Sequence, residues 1–104
     1  MSTMGQRLDL QSLLETLLGS DKVYFQPPPN VQMTYPCMVY KRDDIDAKHA
    51  DNHPYSLMKR YLVTVIDEDP DSDIHEKVAA LPHASYLRNF VTQNLNHDVL
   101  TLYF

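Results

Sequence analysis

The stretch LMKRYLVTVIDEDPDSD (residues 57–73) decides how the rest of the chain is read. Its first part alternates with period two: Leu57, Tyr61, Val63 and Val65 fall on or near one side, Met58, Leu62, Thr64 and Ile66 on the other. That register, with its β-branched content, predicts a central strand over residues 56–67. Upstream, YPCMVYKR (35–42) places Cys37, Val39 and Lys41 on one face and Met38, Tyr40 and Arg42 on the other. Both faces are apolar at the start, so a strand covered on both sides is expected for most of its length. The Tyr35–Pro36 bond is open to either isomer, trans being the commoner. Both strands run out into acids, which either do chemistry or form a surface to be recognised.

Working outward, RLDLQSLLETLLGS (7–20) carries Leu10, Leu13, Leu14, Leu17 and Leu18 at three- and four-residue spacing, followed by Gly19. The spacing predicts a helix over 6–18 with glycine at its C-terminal cap. KVYF (22–25) reads as a short strand that must stop at Pro27, Pro28 and Pro29, which cannot donate to a ladder. In DPDSDIHEKVAALP (69–82) Asp71, Ser72 or Asp73 is placed to cap a second helix and Glu76 lies three residues after Asp73. Ile74, Val78 and Leu81 form its buried stripe, and Pro82 ends it. ASYLRNFVTQ and HDVLTLYF are two strands around the turn NLN (94–96), whose asparagines tolerate left-handed backbone angles. The predicted fold is α+β, a single domain over 1–104 in the order α-β-β-β-α-β-β, with two helices on one face of a mainly antiparallel sheet. Leu14, Leu17, Val63, Val65, Ile74 and Val78 are the expected core.

The 104 residues suit one hydrophobic core, and no apolar run approaches the roughly 20 residues that would cross a bilayer. The reading is a soluble protein with no membrane partner, and MSTMGQRLDL lacks a secretory pattern. A net charge of −5 opposes broad phosphate-driven nucleic-acid binding, so any DNA contact is expected to be local. The lone Cys37 has no partner for an internal disulfide, in keeping with a reducing compartment.

Catalytic patterns are weak throughout. Asp67, Glu68, Asp69, Asp71 and Asp73 resemble a calcium loop until its sixth and twelfth positions are checked, which hold Ser72 and Val78 instead of Gly and Glu. Capping of the second helix accounts for the same acids. His49, Asp51 and His53 alternate, as zinc ligands do on an extended loop, but a third strong ligand from elsewhere is not obvious. Cys37 sits in a strand, where a thiol is commonly a small buried hydrophobe. With only Gly5 and Gly19, no glycine-rich phosphate cradle can be built. The expectation is a non-enzyme with no cofactor. Lys41-Arg42 and Lys59-Arg60 would meet if their strands pair as a hairpin. The thirteen residues DDIDAKHADNHPY (43–55) between them, with hardly an apolar side chain, exceed what a hairpin needs and suggest a functional loop.

The runs YPCMVYKRDDID, ADNHPYSLMKRYLVTVIDEDPDSDI and NLNHDVLTLYF resemble small proteins of long-tailed bacteriophages, the tail terminator or tail-to-head joining proteins, over residues 35–104. The resemblance implies a virion protein of the tail or neck, assembled in the host cytoplasm. It implies a homo-hexameric ring that caps the tail tube and meets the head-tail connector protein, with no catalytic residues. A ring closes through heterologous contacts, so each subunit needs two different surfaces. The expected interaction surface is Lys41, Arg42, Asp43, Asp44, Asp46, Lys48, Lys59, Arg60, Asp67 and Asp69. A neck or head-completion protein of the same assembly is the nearest alternative. A small cytoplasmic adaptor or nucleic-acid-binding module is the other, and would require Tyr40, Tyr61, Tyr86 and Tyr103 exposed on the sheet.

Overall fold

The structure is a computed structural model and describes residues 3–43 and 59–104. Its elements are α1 (Thr3–Leu18), β1 (Val23–Phe25), β2 (Cys37–Arg42), β3 (Arg60–Asp67), α2 (Ile74–Ala79), β4 (Ala84–Thr92) and β5 (Leu95–Tyr103). The predicted element order and fold class are those observed. The five strands form one sheet in the order β1-β2-β3-β5-β4. Only β1 and β2 run parallel; the other three pairings are antiparallel.

Register follows the period-two pattern. Met38 lies opposite Val65, Tyr40 opposite Val63, and Val63 opposite Leu100, so one face of the sheet is a continuous apolar layer. Leu10 and Leu14 of α1 and Val78 of α2 close on that layer, and all three are fully buried. Leu17 and Ile74, expected in the core, pack against it only partly buried, because α1 and α2 each meet the sheet along a narrow stripe. Tyr40 is the polar anchor of this layer. Its hydroxyl donates to Gln11 Oε1 at 2.6 Å and accepts from Arg7 Nη1 at 3.4 Å. Gln11 Nε2 in turn donates to the Val23 carbonyl at 2.8 Å, tying α1 to both β1 and β2. Arg7 also lies over the Phe25 ring, 4.5 Å from its centroid. On the other face Cys37, Ile66 and Val99 are buried as well, which fits a β2 covered on both sides at its start.

Several boundaries differ from expectation, beginning with α1, which starts at Thr3 and not at residue 6. The second helix starts at Ile74 with Asp73 at its N-cap position, within the expected capping stretch 71–73; ahead of it, Asp67 Oδ1 accepts from the Asp69 amide at 3.0 Å and Asp69 Oδ1 from the Asp71 amide at 2.9 Å. It ends at Ala79, ahead of Pro82. The proposed Asp73 cap makes no side-chain hydrogen bond, and Ser72 Oγ accepts from the Ile74 amide at 3.4 Å instead. The hairpin turn is Gln93–Asn94, with φ of 53° and 63°, and not residues 94–96. Two adjacent left-handed residues match the twist of the flanking strands, so the turn closes in two residues and Leu95 and Asn96 join β5. At the α1 terminus Gly19 adopts φ 83° and its amide reaches the Glu15 carbonyl at 2.8 Å, as the capping pattern requires. The Tyr35–Pro36 bond is cis.

Candidate interaction surfaces

The sheet has two ends of opposite character. Antiparallel pairing sets Arg42 opposite Tyr61 and Cys37 opposite Ile66, so Lys41, Arg42, Lys59 and Arg60 gather at one end. The hairpin reading of the two basic pairs describes this placement. Asp43 is threaded into the cluster: its amide donates to the Arg60 carbonyl at 2.9 Å, and its Oδ2 lies 3.0 Å from Arg60 Nε. With the two side chains about a quarter to a third exposed, the pair contributes at most about 1 kcal/mol. Lys59 and Phe104 exchange backbone hydrogen bonds of 3.1 and 3.0 Å, which pins the strand end that carries Lys59.

Asp67, Glu68, Asp69, Asp71 and Asp73 occupy the opposite end, beside the β4–β5 turn. Across the eight residues of β3 the two ends lie about 23 Å apart at 3.3 Å per residue. Those of the ten expected interaction residues that are described divide between these two ends. Lys41, Arg42, Asp43, Lys59 and Arg60 sit together, Asp67 and Asp69 sit at the far end, and Asp44, Asp46 and Lys48 lie outside the described residues. So do His49, Asp51 and His53; among the described residues no group of three or more His, Cys, Asp or Glu could hold a metal ion.

A polar cluster that the sequence did not reveal joins the hairpin to α2. Asp98 Oδ1 accepts from the Tyr86 hydroxyl at 2.6 Å and from Asn89 Nδ2 at 3.0 Å, while its Oδ2 lies 3.4 Å from His75 Nδ1. The hydrogen bond to Asp98 is the main reason that the Tyr86 phenol is pushed up to about 12, so it stays a donor. One signal was available. In β5 Asp98 falls on the same alternation as Leu100 and Leu102, a carboxylate in line with core positions that must find donors. The cluster contains no activated nucleophile and clamps α2 to the hairpin. On the other face Phe90 stacks on His97 at 4.6 Å between centroids, with Arg88 6.0 Å above the Phe90 ring.

Cys37 is fully buried, and burial pushes its thiol up to about 11, so it remains protonated and unreactive near neutrality. Tyr40 and Tyr61 are core residues, 0% and 2% exposed. The aromatic platform that a nucleic-acid-binding sheet requires is thus not assembled from them. No known protein family, curated protein or solved structure matches the chain.

Proposed function

We propose that this protein is a structural virion assembly protein, a ring-forming tail terminator that caps the phage tail tube and joins it to the head connector. The observation that carries the reading is the separation of charge along the sheet among the described residues, with Lys41, Arg42, Lys59 and Arg60 outnumbering Asp43 at one end and Asp67 to Asp73 at the other. A ring subunit must offer two different surfaces that complement each other on adjacent copies. Two ends of opposite sign meet that requirement. Interfacial charges of this kind select register and speed encounter more than they add affinity. The station in the virion is the one that the sequence reading of residues 35–104 implies.

Electron microscopy of the purified protein and of assembled particles tests the proposal. Closed rings are expected, at the head-proximal end of the tail in particles. Lys41→Glu with Lys59→Glu should abolish the rings, and adding Asp67→Lys with Asp69→Lys should restore them. Twofold pairing of subunits through these charged ends, or rings indifferent to these charges, would overturn the reading.

A further inference from the structure

The sheet has two outer edges, and they are built differently. β1 is three residues long and leads into Pro27, Pro28 and Pro29, a short edge that offers little to a new strand. β4 is nine residues long, contains no proline and a single charge, Arg88, and from Ser85 onward every residue is exposed. Tyr86, Leu87, Phe90 and Val91 are 45%, 53%, 41% and 61% exposed. Among the described residues, β4 pairs only with β5, so its outer backbone row is unpaired. An exposed apolar edge of this length is a template for another strand.

The register of the hairpin says which groups that row contains. The two-residue turn makes Thr92 and Leu95 a pair that exchanges both hydrogen bonds. Hydrogen-bonded positions then alternate back along β4 through Phe90 and Arg88, which leaves Asn89 and Val91 to direct their N–H and C=O groups outward. The register shift between Tyr86 and Arg88 marks a bulge at Leu87, which ends the regular segment.

We infer that the partner of this edge is a second copy of the same chain, with β4 paired to β4 in antiparallel fashion about a twofold axis at Asn89. Centred there, Asn89 faces Asn89, Arg88 faces Phe90, and Leu87 faces Val91. The one charge on the strand avoids its own copy and meets an aromatic face, a pairing that Arg88 and Phe90 already make within the chain at 6.0 Å. Centring on Arg88 instead would set two guanidinium groups directly opposite each other, which is destabilising. The bulge limits the shared ladder to Arg88, Asn89 and Phe90 of each copy, with Leu87 and Val91 meeting at both ends. The pairing uses the side edge of the sheet and not its two charged ends, so it stands or falls apart from the ring.

Cysteine cross-linking of the full chain tests it. In a Cys37→Ala background, Asn89→Cys places two thiols on the axis, where the Cα atoms of a hydrogen-bonded pair lie about 5.5 Å apart, within disulfide reach. Leu87→Cys places them about 14 Å apart, four residues out of register and beyond reach. Under mild oxidation a covalent dimer is expected at position 89 and none at 87. Adding Val91→Lys to the Asn89→Cys chain should abolish the dimer while far-ultraviolet circular dichroism and the melting transition remain cooperative. No dimer at 89, equal dimer at 87 and 89, or a dimer that survives Val91→Lys in a folded chain would each overturn the inference.

Discussion

Tyr40→Phe removes one oxygen from the centre of the helix–sheet contact and leaves the ring in place. The ring keeps its neighbours, Phe25 at 4.9 Å and Tyr61 at 6.0 Å between centroids. What is lost is the donor to Gln11 Oε1 at 2.6 Å and the acceptor for Arg7 Nη1 at 3.4 Å. A net hydrogen bond contributes about 1 kcal/mol, and a partly buried acceptor left unpaired adds to the loss, so the expected destabilisation is about 1 to 2 kcal/mol. In a chain of this size the melting temperature should fall by about 4 to 8 °C for each kcal/mol. Gln11→Ala should cost about the same or more, because it also releases the Val23 carbonyl held at 2.8 Å. The two changes share one hydrogen bond, so the double variant should lose about 1 kcal/mol less than the sum of the singles. Urea denaturation of the four proteins, fitted with a common slope, measures that coupling. Additive losses, with coupling below about 0.3 kcal/mol, would refute the placement of Gln11 as the link between α1 and β2.

Two further expectations follow from burial. Leu14→Ala, at a fully buried site, should cost about 2 to 5 kcal/mol, whereas Leu17→Ala, at the margin of the core, should cost clearly less; a denaturant melt ranking them the other way would show that α1 is rotated on the sheet. The Cys37 thiol is raised to about 11 from 9.0, so its contribution is complete below about pH 9 and is lost as pH rises toward 11. Wild type should therefore lose roughly 2 kcal/mol more than Cys37→Ala over that interval, and parallel pH–stability curves would disprove it.

Elements with strong periodicity were legible in the sequence. The alternation in residues 61–66 and the leucine spacing in α1 both carry their elements, which form over Arg60–Asp67 and Thr3–Leu18. The convergence of Lys41-Arg42 with Lys59-Arg60 was legible too, since antiparallel strands joined in sequence bring those positions together. The hairpin turn was misplaced because local turn chemistry prevailed over pattern: Gln93, not an obvious turn residue, takes a left-handed conformation beside Asn94. The Asp98 cluster was hidden because its donors come from His75, Tyr86 and Asn89, on two other elements. Only the pairing of β4 with β5, and the return of α2 over that end of the sheet, brings them together.

The strand order β1-β2-β3-β5-β4 puts β5, the later strand of the hairpin, inside the sheet and β4 outside it. During synthesis, a chain that has emerged only as far as β4 has a β3 whose inner edge faces no partner and a β4 with nothing to hold it. Leu100 and Leu102, which lie opposite Val63 and Tyr61, have not yet arrived. The central layer is thus completed by an insertion and not by an addition. Folding of this domain on the ribosome must wait until β5 has cleared the exit tunnel, and until then the nascent chain displays β3 as an open apolar strand to any chaperone within reach.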